Sequence, residues 1–138
     1  METTLTILKP DSVEAGNTGK ILDHLIREGF ELAGMKLIHL TEPQAREFYA
    51  VHKERPFYDS LVAYMTSGPV VVAALRRDDA VKYLRQVMGA TNPEEADAGT
   101  IRAEYATNIE RNAIHGSDSP ENAAKEVGFF FAGAELAR

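Results

Sequence analysis

"SGPVVVAALRRDDAVKYLRQVMG", Ser67 to Gly89, is the stretch on which the fold turns. Ser67, Gly68 and Pro69 break any preceding helix, because proline removes a backbone donor and glycine loses much conformational freedom on ordering. Val70 to Leu75 then forms a near-continuous apolar, β-branched run, which marks a strand buried in the middle of a sheet. Asp78 is expected to cap a helix running on to Met88, and Gly89 to Gly99 reads as a polar loop.

Working outward, Thr4 to Lys9 reads as a strand ended by Pro10. In "GNTGKILDHLIREG", Ile21, Leu22, Leu25 and Ile26 fall at helical spacing and Gly29 is a natural stop. Phe30 to Leu40 is a second strand, interrupted by Gly34. Thr41, Pro43 and Gln44 make a capping box that opens a helix to about His52. A short helix follows from Tyr58 to Thr66, and Asn112 to His115 is a fourth strand before a last helix. The order β-α-β-α-α-β-α-loop-β-α predicts an α+β, split β-α-β fold with an antiparallel sheet covered on one face by helices. A doubly wound parallel sheet is the competing reading, disfavoured because strands and helices do not alternate one for one.

With 138 residues the chain fits a single domain with a real core. Its 44% hydrophobic and 26% charged residues are ordinary for a globular protein. A net charge of -6 argues against a general nucleic-acid or anionic-membrane binder, while leaving room for an anionic small molecule met by a few convergent cations. There is no cysteine, hence no disulfide framework or thiolate metal site. The first residues enter the fold without a signal-peptide pattern, and no apolar run approaches the ~18 residues of a membrane span. The expectation is a cytoplasmic domain.

The chemistry gathers around "RNAIHGSDSPENAAKEV", Arg111 to Val127. Ser117, Asp118 and Ser119 offer helix-capping acceptors with Pro120 in the first turn, and a helix start suits an anion. His115 stands just before it, and Gly116 leaves room for a ligand or a neighbouring chain to approach the backbone. An imidazole, ordinarily titrating near pH ~6.5, is largely neutral and nucleophilic at pH 7 and can attack phosphorus. Taken alone, a histidine there reads more readily as packing near a helix terminus. Lys9, Arg85 and Arg102 are donors of the kind that polyphosphates need, but single arginines usually read as solvated surface. Phe57 by its spacing reads as core. Glu126 lies seven residues after Ser119, on the same helical face. "GNTGK" lacks the spacing of a P-loop and the Ser or Thr after its lysine, so side chains must handle any phosphate.

"NAIHGSDS", Asn112 to Ser119, resembles the active-site signature of the nucleoside diphosphate kinases. The resemblance extends over the whole chain through "LTILKPDSV", "FYAVHKERPFY", "TSGPVVV" and "MGATNPEEADAGTIRAEYA". It implies a ferredoxin-like fold, a four-stranded antiparallel sheet covered by helices, and transfer of a γ-phosphate from nucleoside triphosphates, mainly ATP, to nucleoside diphosphates with Mg²⁺. It also implies ping-pong transfer through a phosphohistidine at His115, with Glu126 fixing the ring tautomer and Ser117 bridging. Lys9 and Asn112 are implied to hold ribose hydroxyls and the moving phosphoryl group, with Tyr49 near the nucleophile. Arg85, Thr91 and Arg102 correspond to phosphate-binding positions, and His52 to a further phosphate contact in some members. Phe57, Leu61 and Ile109 correspond to the base clamp. No metal-ligating residue is implied, Mg²⁺ being carried by the nucleotide phosphates.

One departure concerns assembly. Members commonly carry a proline before the "GTIR" segment, where this chain has Ala98. A homo-oligomer of dimers is still implied, a hexamer ahead of a tetramer, and the short end with "FFFAGAEL" looks bacterial. Two other classes compete: an inactive nucleotide-binding or regulatory module on the same fold, and a nucleic-acid binder. The retained set of Lys9, Arg85, Thr91, Arg102, Asn112 and His115 opposes the first. The acidic balance and the lack of an aromatic RNA-stacking motif oppose the second.

Overall fold

The computed structural model of the chain describes residues 1–137. Four strands, β1 (Glu2–Leu8), β2 (Glu31–Ile38), β3 (Val70–Arg77) and β4 (Ile114–Gly116), form one sheet in the order β2-β3-β1-β4, all neighbours antiparallel. The helices are α1 (Pro10–Glu14), α2 (Thr18–Arg27), α3 (Glu42–Phe48), α4 (Tyr58–Met65), α5 (Ala80–Met88), α6 (Ile101–Tyr105) and α7 (Pro120–Phe130). The split β-α-β reading therefore holds, and the parallel alternative fails.

The sheet is covered on both faces, not one. The period-2 alternation of β3 sends Val70, Val72 and Ala74 into one core with Tyr49, Val62, Met65, Val127 and Phe130, contributed by the α3–α4 hairpin and α7. It sends Val71, Ala73 and Leu75 into a second core with Ile21, Leu25, Leu84 and Met88 from α2 and α5. A strand buried on both faces has no need to alternate apolar with polar, which is why Val70 to Leu75 runs apolar throughout. The break expected at Gly34 is a bulge in the β2–β3 register between Leu32 and Gly34.

Local boundaries differ where distant groups intervene. The capping box predicts a helix to His52. Thr41 and Gln44 do make that box, but α3 ends at Phe48 and the chain tightens into a 3₁₀ turn, Ala50–His52. Asp78 does not cap α5. Asp79 holds the N-cap position with φ 56°, and the Val81 N–H donates instead to Glu2 Oε1 at 2.7 Å, an acceptor supplied from β1. Helices α1 and α6 are each five residues long, below what apolar periodicity detects.

Candidate active site

The strand that carries His115 begins in a strained turn. Ala113 has φ 74°, and the Ile114 N–H donates to the Asn112 carbonyl at 2.9 Å, closing a γ-turn around it. A non-glycine residue in this region costs on the order of 1–3 kcal/mol and persists only if its surroundings hold it. The segment that follows β1, Lys9 and the first turn of α1, supplies that hold. Lys9 N–H and Ser12 Oγ donate to the Ala113 carbonyl at 2.9 and 2.8 Å, and the Ala113 N–H donates to Asp11 Oδ2 at 3.1 Å. Asp11 in turn accepts from the Tyr64 hydroxyl. The Lys-Pro-Asp-Ser turn and the Asn-Ala-Ile-His segment therefore form one rigid unit.

Within β4, Ile114 and Gly116 are buried while His115, opposite Ile7 in the ladder, is partly exposed. The His115 carbonyl accepts from Thr6 Oγ1 at 2.8 Å. Its Nε2 lies 2.8 Å from Glu126 Oε1 on α7, and the same oxygen accepts from Ser117 Oγ at 2.8 Å. Ser117 is fully buried and its Oγ accepts the Leu5 N–H at 3.3 Å. An ionised carboxylate can only accept, so Nε2 carries the proton and Nδ1 keeps its lone pair. The ring of Phe48 meets the imidazole edge-on, centroids 5.6 Å apart. Of the acceptors expected to cap α7, Ser119 does so, its Oγ accepting the Asn122 N–H with Pro120 in the first turn, while Ser117 bonds Glu126 and Asp118 accepts from the Asn122 side chain.

Gly116 has a different reason from the one expected. A Cβ there would lie 2.6 Å from Met88 Sδ and 3.0 Å from Leu84 Cδ2, so glycine lets α5 of the same chain pack against β4. Close approach of a ligand is not what it serves.

Beside this lies a cluster of cations. Lys9 Nζ donates to Asn112 Oδ1 at 2.8 Å, and Asn112 Nδ2 donates to the Thr91 carbonyl at 3.2 Å. Arg102 is buried and spends three N–H groups on the carbonyls of Asn112 (3.2 Å), Gly89 (3.1 Å) and Ile114 (2.8 Å). A surface reading of Arg102 is thus wrong. A guanidinium has five donors, so two remain for a ligand. Gly89 itself, at φ 89°, passes so close to Thr100 that an added Cβ would meet Thr100 Oγ1 at 2.5 Å. Arg85, on α5, is exposed, with one amino group 3.4 Å from the Gly116 carbonyl. Burial, reinforced by the Arg102 charge, holds Lys9 down to about 8, with Asp11 and Glu110 opposing. Burial, then the Arg85 charge, holds Arg102 down to about 10. Three like charges thus face one another, and a polyanion would relieve them.

The α3–α4 hairpin bears the remaining residues except Ile109, which lies on the loop between α6 and β4. Phe57 is 46% exposed and Ile109 62%, so the core reading of Phe57 fails. The His52 and Phe57 rings lie 5.4 Å apart, and Leu61 packs at the edge of the first core. Tyr49 is buried against that core, and its hydroxyl makes no hydrogen bond among the described residues. Burial, then the Glu126 charge, pushes its ionisation far above the usual tyrosine range. Phe48, Asp11 and Ser12 were not candidates by sequence. The Lys-Pro-Asp-Ser stretch was the available signal for the latter two, and nothing in the sequence pointed Phe48 at His115.

Comparisons with known proteins point to a single family. A family model described as "Nucleoside diphosphate kinase" matches residues 2–136. A nucleoside diphosphate kinase of Campylobacter jejuni is 56% identical over 136 residues, and one of Geotalea daltonii 53%, each comparison covering 99% of both chains. The structure of the Aquifex aeolicus nucleoside diphosphate kinase superposes with a TM-score of 0.97 at 49% identity, covering 99% of each chain. That of a halophilic nucleoside diphosphate kinase from Halobacterium salinarum, solved in complex with CDP, gives 0.95 at 39% identity, covering 99% of this chain and 91% of the other.

Proposed function

The chain belongs to the nucleoside diphosphate kinase family and is a phosphotransferase moving the γ-phosphate of nucleoside triphosphates to diphosphates, and from that premise we propose that the group passes through Nδ1 of His115. The observation that carries the proposal is the 2.8 Å contact of His115 Nε2 with Glu126 Oε1, which leaves Nδ1 as the free nucleophile.

In the first half-reaction Nδ1 attacks the γ-phosphorus. The Nδ1–P bond forms, the bridging P–O bond breaks, and the departing diphosphate keeps the electron pair. The ring becomes cationic without losing its Nε2 proton, and Glu126, itself steadied by Ser117, balances that charge. In the second half, a β-phosphate oxygen of the acceptor attacks the same phosphorus, the Nδ1–P bond breaks with its electron pair returning to Nδ1, and the ring returns to neutrality. No external base is required.

Lys9, Arg85 and Arg102 would take the phosphate oxygens, with Asn112 and Thr91 alongside and the Tyr49 hydroxyl as a neutral donor near His115. His52 would add a phosphate contact. Phe57 would stack on the base, with Leu61 and Ile109 completing the clamp. Among the described residues no three His, Asp or Glu side chains converge as a metal cage. The donor set suits Mg²⁺ that arrives on the nucleotide's own phosphate oxygens and neutralises part of their charge there. ATP as the main donor rests on family likeness, since triphosphate chemistry is common to all nucleoside triphosphates.

A homo-oligomer built from dimers, a hexamer before a tetramer, is the assembly proposed; the exposed apolar row Leu32, Met35 and Leu37 on the edge strand β2 supports its dimer contact, and the order of the larger assemblies rests on family likeness. No helix of the described residues is long and apolar enough to cross a membrane. Action in the cytoplasm, on free nucleotides and not on nucleic acid, fits the acidic, cysteine-free chain.

Initial-rate kinetics test the double displacement. Varying ATP at several fixed concentrations of an acceptor diphosphate should give parallel double-reciprocal lines. Intersecting lines would mean direct transfer within a ternary complex.

A further inference from the structure

We propose that the hydrogen bond between Ser60 and Glu110 is a latch that fixes, before any nucleotide arrives, the gap between the helical hairpin and the loop flanking the base; this rests on the assignment of Phe57, Leu61 and Ile109 to the base site. Ser60 Oγ donates to Glu110 Oε2 at 2.6 Å across 50 residues of chain. Ser60 sits one turn into α4, three residues after Phe57 and next to Leu61, while Glu110 directly follows Ile109. The bond thus joins the two jaws at the residues beside the gripping side chains.

Both jaws are rigid by themselves. On the hairpin, Arg46 pairs with Glu42 at 3.0 Å and with Asp59 at 3.3 Å, and the Tyr58 hydroxyl donates to the Arg46 carbonyl at 2.9 Å. Helices α3 and α4 therefore move together. On the loop, Asn108 Oδ1 accepts the N–H groups of Glu110 at 3.0 Å and Arg111 at 2.8 Å, and the Thr107 N–H donates to the Arg111 carbonyl at 2.8 Å. One turn deeper in α4, the Arg111 guanidinium lies 5.3 Å from the centroid of the Tyr64 ring, and the Tyr64 hydroxyl is tied to Asp11. Ser60 and Tyr64 are four residues apart, so one helix face grips the loop at two heights. The deep grip is half-buried and doubly held. The outer one is a single exposed bond, and it alone sets the jaws at the rim.

A bond there acts by preorganisation: it removes conformers of the free enzyme that nucleotide binding would otherwise have to select against. The bond contacts none of His115, Glu126, Lys9 or Arg102, but the Glu110 charge acts on Lys9, so Ser60→Ala, which keeps that charge, is the variant that reads nucleotide capture apart from the chemical step.

The test is steady-state kinetics of Ser60→Ala, Glu110→Ala and the double variant, with GDP and with base-free ribose 5-diphosphate as acceptors. KM for GDP should rise about three- to tenfold in each variant, with kcat held within about twofold in Ser60→Ala. The double variant should be no worse than Glu110→Ala, Ser60→Thr should keep the wild-type KM, and KM for ribose 5-diphosphate should not move in Ser60→Ala. Additive single effects, equal losses in kcat, or an equal rise for the base-free acceptor would overturn the latch. Phe57→Ala separates the premise from the proposal. If it raises KM for GDP alone while the latch variants are silent, the latch is wrong and the base site stands. If Phe57→Ala is itself silent, the base site is wrong.

Discussion

Asp11 accepts the Ala113 N–H at 3.1 Å, and Ala113 is held at φ 74° two residues before His115. A carboxylate in the first turn of α1 thus keeps a strained turn closed and sets where β4 presents its imidazole. Asp11 touches no reacting atom, yet it positions the group that does.

Asp11→Ala should therefore lower both stability and rate. The orphaned N–H and the loosened turn cost about 1–3 kcal/mol in denaturant unfolding. Misplacement of His115 should lower kcat by roughly tenfold to a hundredfold. Asp11→Asn keeps an acceptor and should fall between. A folded Asp11→Ala variant with full kcat would show that the turn does not need this support.

The Lys9 ammonium gives a pH dependence with a definite sign. Its value, held down to about 8 by burial first and then by Arg102, applies to the free enzyme, which kcat/KM reports. kcat/KM for a triphosphate donor, which meets the unphosphorylated enzyme, should fall above pH about 8 as the charge on Lys9 is lost. Lys9→Met should be weak at all pH and lack that limb. The same shift makes the folded chain bind this proton less tightly than the unfolded chain. This group's contribution to stability is accordingly least favourable below pH about 8 and improves from there toward 10.5, its ordinary value. A Lys9→Met profile with the same alkaline limb would assign the limb elsewhere.

Arg102→Ala removes donors from the carbonyls of Asn112, Gly89 and Ile114 as well as from the phosphates. The expected losses are about tenfold to a thousandfold in kcat/KM and on the order of 3 kcal/mol in stability. Arg102→Lys should recover little of either, since a point charge does not replace three directed N–H groups. Full activity with an unchanged melting temperature in Arg102→Ala would remove it from both roles.

What the sequence made legible, and what it did not, divides by the range of the interactions involved. Val70 to Leu75 reads correctly as a central strand because the burial that shapes it is written into consecutive side chains. Ser119 reads correctly as a helix cap because its acceptor and donor are three residues apart. The cap of α5 is misread because its acceptor, Glu2, comes from the other end of the chain. Gly116 is misread because its neighbour is Met88, close in space but distant in sequence. The strain at Ala113 leaves no trace in the sequence, since alanine gives no hint of a positive φ. In the site, the motif residues announce themselves through family resemblance. The burial of Arg102 and the Phe48 contact on His115 emerge only once the chain is folded.

Base recognition by stacking on Phe57 without a polar group reading the base edge predicts broad specificity. Values of kcat/KM for ADP, GDP, CDP and dTDP should lie within about a thousandfold of one another, ~4 kcal/mol. Deoxynucleotides should serve nearly as well as ribonucleotides, because they keep the 3′-hydroxyl that Lys9 and Asn112 are assigned to hold. A wider spread would mean that a side chain reads the base.

The most direct measurement is phosphate incorporation into the purified protein from γ-labelled ATP and Mg²⁺, with no acceptor added. The account predicts one phosphate per chain, lost in acid, stable in base, discharged by GDP, and located on Nδ1 of His115. His115→Ala should take up none and transfer none while keeping its fold, and Glu126→Ala should label more slowly. An acid-stable label, or a label that persists in His115→Ala, would contradict it.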